Sequence, residues 1–599
     1  MKRDLLIMFL LASLLVMTGC SQENIPGGDD GVEDAQTSYL AINLRPADES
    51  PTRAANGYED GDPLENKVNS VRFYFFGAAG GIANVNITSS GGYVNYYDWT
   101  PGSSDKDPDY KDDPDNVDPG NQDPDNPGNG DTNNQDDIES KLTATIVINT
   151  AKGDKVPNMV AAVINPAGLP DESLPLTELK KKVADYASAA YTGEGTFVMF
   201  NSIYADGDGN GNGAVVINQS GDKKNLWTTA KDAKEHPVTI YVERSVAKVR
   251  VTLGNEVAAA GTSMLALKDK EGNDLKVGAE QVYLKLEGWG LTADTSEGRL
   301  VKKINPGWTG TWWNSTHRSF WAINSMTATN RYHDYKNSIG SAIGTITVGE
   351  GGSTTTTPGA ALYTNENAVA NDYDPVTTGQ APNHTKVILK GKLCKADGTA
   401  FTIVRHLGTH FADDYSDTEA DNLKELKKSI LRQLDAKGYK YYTQDGSTRR
   451  QIDERDLKIT IATKIESENS KNNCYVYAQL TTEAEGKTWY TSLDGPTTAD
   501  KDVINGNLKN KDIVDWALVW RGGMTYYYYE IKHLGDQIGV VRNHVYDTTV
   551  TKIAGLGTPV YDPTQIIYPE KPDPNDHFIA AQIMILSWRI VGSQNELKW

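Results

Sequence analysis

"VTIYVERSVAKVRVTL", residues 238–253, is dense in β-branched and aromatic residues and lies between turn-forming stretches. That composition specifies extended chain. The same signal recurs upstream in "KVNSVRFYFFG" (67–77), "LTATIVIN" (142–149), "NMVAAVIN" (158–165) and "TFVMFNS" (196–202). Downstream it returns in "QVYLKLEGWGL" (281–291), "TKVILKGKL" (385–393), "KITIATKI" (458–465), "CYVYAQL" (474–480), "TYYYYEIKHL" (525–534) and "VYDTTVTKIAGL" (545–556). Two helices are predicted. "TELKKKVADYASAA" (177–190) sets Leu179, Val183 and Tyr186 on one face, with Thr177 as its cap. "SDTEADNLKELKKSILRQLDAKG" (416–438) carries a Ser416/Glu419 capping box, a Leu423, Leu426, Ile430, Leu434 stripe and a Gly438 stop. Short strands with polar turns and few helices make a mainly β protein of antiparallel sandwiches, and two such domains are expected.

The N-terminus fixes a compartment. Lys2 and Arg3 precede "LLIMFLLASLLVM", an apolar run too short for a comfortable membrane span, which ends in "VMTGC". That is the pattern of a lipobox: residues 1–20 are expected to be a lipoprotein signal segment, cut before Cys20 so that its thiol carries lipid. One lipidated cysteine anchors a chain to a membrane surface. The other cysteines, Cys394 and Cys474, are expected either to pair in an oxidising compartment or to serve as two small core residues.

The formal charge of −21 argues against nucleic acid as a partner. Much of it is local: residues 105–137 hold twelve Asp against two Lys, a net −10, with much Pro, Gly and Asn and no apolar period. A solvated insertion is expected there. "DGDGNGNG" (206–213) imitates the start of a calcium loop, but Ile217 stands where the bidentate Glu belongs, so it reads as a turn and no metal or cofactor is expected.

Catalytic signals are sparse. The nine histidines form no HExxH, and neither GxSxG nor CxxC occurs, so no enzyme is expected. His533 and His544 are expected to be hydrogen-bonding residues near the sheet, and the i, i+4 pair His406 and His410 to lie in strand or loop rather than hold a metal. Tyr526 to Tyr529 are expected to pack across a strand. Together with Trp308, Trp312, Trp313 and Trp321 they sustain an alternative, a surface lipoprotein that binds glycans.

Seven stretches follow one another in a familiar order: "YVERSVAKV" (241–249), "LEGWGL" (286–291), "HRSFWA" (317–322), "LYTNEN" (362–367), "YYYYEIKHLG" (526–535), "GVVRNHVY" (539–546) and "ILSWRIV" (585–591). Behind a lipobox, they make the chain resemble the Bacteroidales fimbrillins, specifically the major subunit of the Mfa-type (minor) fimbria. The insertion at 105–137 departs from that pattern. The resemblance implies two transthyretin-like antiparallel β-sandwich domains with a few short helices. It implies export as a lipoprotein to the outer membrane, cleavage after an arginine by an extracellular protease, and polymerisation by strand exchange into a surface fimbria. Other copies of the chain, together with anchor and tip subunits, are the implied partners, and adhesion and biofilm formation the implied role. The matching cut is Arg53, with Ala54 as the new N-terminus; Arg45 is followed by Pro46, which hinders most proteases.

The residues fit that scheme. In "SYLAINLR", Leu40, Ile42 and Leu44 form one apolar face of a strand, and the polar "PADESPTRAANGYEDGDP" that follows suits an accessible loop. Cutting there severs the strand and leaves an apolar groove with two open strand edges. "FIAAQIMILSWRIV" (578–591) is apolar on both faces, with Ile579, Ala581, Ile583 and Ile585 on one and Trp588 on the other. It is the expected donor, or in part the last core strand. The expected organisation is a propeptide at 21–53, an N-terminal sandwich at 54–270 and a C-terminal sandwich at 271–599.

Overall fold

In the computed structural model the run at 238–253 is extended, but as two strands that serve two cores. β7 (Val238–Arg244) belongs to the first sheet and Val246–Leu253 to the second. The change occurs at Ser245, which is buried and donates its N–H to Val198 O at 2.9 Å. The described residues span 36–46, 63–101, 142–302, 330–368, 385–415, 422–462, 475–567 and 577–592, with short gaps inside several of these spans. Among them no helix is long and apolar enough to cross a membrane.

The first sheet adds to β7 the strands β1 (Gln36–Pro46), β2 (Val71–Phe76), β3 (Tyr96–Trp99), β4 (Leu142–Thr150), β5 (Met159–Ile164) and β6 (Met199–Asn201). Their order is β3-β2-β5-β6-β7-β1-β4. The core beneath it draws on Phe73, Phe75, Ile146, Val160, Phe200 and Ile240, and takes back Leu300 and Val301 from far along the chain.

The second core lies between two sheets built from β8 (Val246–Leu253), β9 (Tyr283–Thr292), β10 (Gly344–Val348), β11 (Lys386–Cys394), β12 (Met524–Glu530), β13 (His544–Gly555), β14 (His577–Ser587) and β15 (Ile590–Gly592). One sheet runs β10-β8-β13-β14-β15 and the other contains β9-β11-β12. Val249, Val251, Trp289, Leu389, Tyr527 and Val550 fill the space between. Val246 stays with the first core, but Ala247, Val249, Val251, Leu253 and Leu267 belong to this second one, ahead of the boundary at 270 that the sequence suggests. The physical reason is that strand chemistry is uninterrupted across Ser245, while the sheet partner changes.

Between β11 and β12, which pair directly, the chain makes an excursion of its own. Its central sheet is formed by Thr409–Ala412, Ile403–His406, Ala517–Trp520, Tyr475–Leu480 and Leu457–Ile461. One face, with Ile403, Leu518 and Trp520, covers the second core. The other, with Val404 and Val519, meets α1 (Lys424–Ala436) and α2 (Lys501–Lys509) through Leu426, Ile430, Leu434, Ile504 and Leu508. Sequence reading anticipated two cores; the described residues contain this further one.

Both predicted helices are altered. The described part of α1 starts at Lys424, and Ser416 and Glu419 lie outside the described residues. The Asp413 carboxylate accepts the N–H groups of Glu425 (3.2 Å) and Leu426 (2.8 Å), so a residue across the loop supplies the cap. Burial pushes the Asp413 carboxyl up, against these donors. Leu423, Leu426, Ile430 and Leu434 form the buried stripe, and Gly438, at φ +86°, ends the helix. The 177–190 helix is broken into Leu176–Leu179 and Tyr186–Ala190. Val183–Ala184 between them pairs with Gly298–Arg299, and this tertiary ladder outweighs local helix propensity.

The excursion also holds a buried acid. Asp456, wholly buried, receives Arg450 Nη1 at 2.5 Å and Nη2 at 2.8 Å, with Lys487 Nζ at 3.3 Å. Burial alone would raise its pKa, but the Arg450 fork and the Asp453 N–H hold it below the usual carboxylate range. A depressed carboxyl contributes stability that is complete above the unfolded-state value, about 3.9, and lost as pH falls through the folded value. Asp456→Asn is therefore expected to cost about 2–3 kcal/mol at pH 7. In thermal unfolding its deficit against the parent protein should shrink towards pH 3; a deficit that is equal at both pH values would refute the assignment.

Candidate functional site

The first strand has neighbours on both sides. β1 runs antiparallel to β4 over nine register pairs, from Gln36↔Thr150 to Leu44↔Leu142. It runs parallel to β7 over five, from Ile42↔Val238 to Pro46↔Val242. Leu40 and Ile42 are 0% exposed and Leu44 2%, all within the first core, and Ala41 on the opposite face is buried as well. Burying three such side chains is worth about 5–9 kcal/mol before ordering costs. β1 is thus an interior strand of the sheet, covered on both faces, although it is the first of the described strands. Cys20, Arg53 and Ala54 lie outside the described residues.

The C-terminal segment is also extended. β14 pairs antiparallel with β13, setting Ile579 opposite Ile553, Ala581 opposite Val550, Ile583 opposite Thr548 and Ile585 opposite Tyr546. β15 turns back along its outer edge, from Met584↔Gly592 to Leu586↔Ile590. Trp588 lies outside the described residues. β1 and β14 are each eleven residues long.

The two sandwiches meet at a buried polar junction that the sequence reading passed over. Arg542, fully buried, donates from Nε to Glu366 Oε2 (3.1 Å), from Nη1 to Leu300 O (2.8 Å) and from Nη2 to Arg299 O (2.5 Å). Its backbone N–H reaches Glu366 Oε1 at 3.2 Å. Burial pulls Arg542 down, but Glu366 and Glu243 more than compensate and hold it above its ordinary value. Lys302 meets Glu243 at 3.4 Å, both side chains fully buried, and Lys248 meets Glu65 at 2.9 Å. Arg244 donates to Glu65 O and Asn543 Oδ1, and Tyr363 to the Glu65 carboxylate. Asn543, at φ +57°, takes the left-handed geometry that Asn tolerates. The signal was present in the sequence: Glu243, Arg244 and Lys248 interrupt an otherwise apolar strand run, and charge inside such a run requires a buried partner.

The four histidines singled out in the sequence pack into the fold. His533 Nδ1 contacts Tyr546 Oη at 2.9 Å and His544 Nδ1 contacts Arg542 O at 2.7 Å, both rings being buried. His406 uses Nδ1 on Ser429 Oγ (2.9 Å) and Nε2 on Asp515 O (3.1 Å), and burial lowers its pKa. In the hairpin His406 pairs with Thr409 and His410 with Arg405, which places the two histidines on opposite faces. Among the described residues no group of three or more His, Cys, Asp or Glu side chains could hold a metal. Tyr527 bonds Gly555 O at 2.7 Å and Tyr529 bonds Thr548 Oγ1 at 2.6 Å inside the second core. Tyr526 and Tyr528 join Tyr335 and Ile567 on the other face, so the four tyrosines pack as expected. Cys394 is a buried thiol; Cys474, Trp308, Trp312, Trp313, Trp321 and the 105–137 insertion lie outside the described residues.

No protein-family model matches the chain, and no curated protein matches it. Among solved structures it is similar to a fimbrilin (FimA) of Porphyromonas gingivalis W83, at 10% identity and a TM-score of 0.35, covering 94% of this chain and 100% of that one. It is also similar to a cell adhesion protein of Parabacteroides distasonis ATCC 8503, at 9% identity and a TM-score of 0.36, covering 92% and 97%. A third is the tip fimbrial protein Mfa3 of Porphyromonas gingivalis, at 11% identity and a TM-score of 0.29, covering 92% and 100%.

Proposed function

We propose that this chain is a structural subunit of a cell-surface fimbria. It is exported as a lipoprotein through Cys20, cut between Arg53 and Ala54 by an arginine-specific extracellular protease, and joined to further copies when a C-terminal strand takes the place of β1. The single observation that carries this reading is the position of β1. The segment that cleavage at Arg53 would detach is an interior strand, so its loss would expose an apolar groove between two strands with unpaired edges. A strand supplied by another copy satisfies both edges and refills the core, the mode of recognition called β-strand addition.

β14 suits the donor role by its length and its alternation of Ile579, Ala581, Ile583 and Ile585. Donation would take it, with β15, away from β13. Anchor and tip subunits complete the filament, and the outer membrane holds the chain through its lipid before processing. The proposed role is adhesion and biofilm formation rather than catalysis. N-terminal sequencing of filaments sheared from cells tests the reading. Ala54 without lipid is the expected result; lipidated Cys20 would overturn it and favour an anchored glycan-binding lipoprotein.

A further inference from the structure

β4 owes its place in the sheet to the strand that processing would remove. It is the last strand of the sheet, and among the described strands its ladder runs against β1 alone. All nine residues from Leu142 to Thr150 are in register with β1. Near its C-terminal end Asn149 N donates to Val85 O at 2.8 Å, a bond independent of β1. Among the described residues no such backbone bond ties down Leu142 to Ile148, which the buried Ala144, Thr145, Ile146 and Ile148 and packing against residues 86–87 and 230–235 hold.

We propose that β4 is a hinged flap. With β1 gone its Leu142 end detaches, it pivots about Asn149, and it closes again over the strand that arrives from a second copy. This rests on the proposed loss of β1 and adds a step to it. The groove is then not a fixed slot between two walls. It has one fixed wall, β7, which β6 still holds through Val242↔Asn201 to Arg244↔Met199. An incoming strand pairs first with β7, and β4 completes the ladder on its outer side. The flap answers a steric problem, because a strand entering a closed slot would have to thread lengthwise, whereas an open side lets it dock broadside.

The test is proteolysis by thermolysin, which cuts before Leu, Ile and Val, read by mass spectrometry. Cleavage before Ile146 or Ile148 requires β4 to leave the core, whereas the wall of a rigid groove would stay resistant. Two proteins without a docked β1 are compared with the intact full chain. One is the chain cut at Arg53 after release of residues 21–53. The other is the uncut double variant Ile42→Asp/Leu44→Asp, in which two buried carboxylates expel β1. Cleavage within 142–148 is expected to rise at least tenfold in both, with β5 and β6 uncut, and a synthetic peptide of residues 577–592 should restore resistance. Resistance in 142–148 equal to that of the intact chain, with β1 displaced, would overturn the flap. If residues 21–53 stay bound after the cut, the proposed function fails and the double variant still decides the flap. If the double variant is cut throughout its cores, the cut chain decides.

Discussion

A subunit carrying Arg53→Ala is expected to fold, reach the surface and remain monomeric. The covalently held β1 keeps its nine pairs with β4 and five with β7, and no incoming strand can match a competitor tethered to the same domain. Parent protein treated alike should give ladders on unheated denaturing gels, and the variant a single band. Deleting residues 579–599 should block self-assembly for the opposite reason, by removing the donor. Mixing separates the two defects. Arg53→Ala protein retains its C-terminal segment and should cap a processed parent subunit, while a processed, tail-deleted subunit can only accept. Long ladders from Arg53→Ala protein alone would show that cleavage does not open the groove.

Glu366→Leu should be strongly destabilising. It leaves the Arg542 guanidinium fully buried without the carboxylate that it hydrogen-bonds, which costs about 3–5 kcal/mol. In thermal unfolding that corresponds to a fall on the order of 10 °C. Glu366→Gln keeps an acceptor while removing the charge, and its loss should be smaller. Equal, small effects of both changes would mean that the carbonyls of Arg299 and Leu300, with the charge of Glu243, suffice to hold Arg542.

Strands were legible because β-branched and aromatic residues mark them wherever they pair. Val71–Phe76, Met159–Ile164, Lys386–Cys394 and His544–Gly555 fall within a residue or a few of the expected runs. What sequence chemistry does not encode is the identity of the neighbour. Nothing between Arg244 and Val246 announces a change of sheet. Val246 belongs to one core and Ala247 to the other, yet adjacent apolar residues on opposite faces are ordinary strand alternation. The helix at 177–190 failed for a related reason: Val183 has its partner at Arg299, far beyond any local window. At the described start of α1 the Asp413 carboxylate, outside the helical pattern, accepts the first N–H groups, while Ser416 lies outside the described residues. The junction was missed because Glu366 and Arg542 are distant in sequence, and each alone resembles a surface charge.

The unbroken passage from β7 through Ser245 into β8 has a mechanical consequence. In a filament assembled as proposed, tension enters each subunit through the strand lodged beside β7 and leaves through its own C-terminal segment. Between those points the pull stays on covalent backbone across the domain boundary, then passes from β8 to β13 over six parallel pairs, Lys248↔Val545 to Leu253↔Val550. Those bonds are pulled along the strands, in shear, so they share the force instead of opening one after another. Within residues 238–253 no linker interrupts that path. A single filament stretched in a force spectrometer should therefore resist until a donor strand slides out whole, and its compliance should reside between subunits rather than within them.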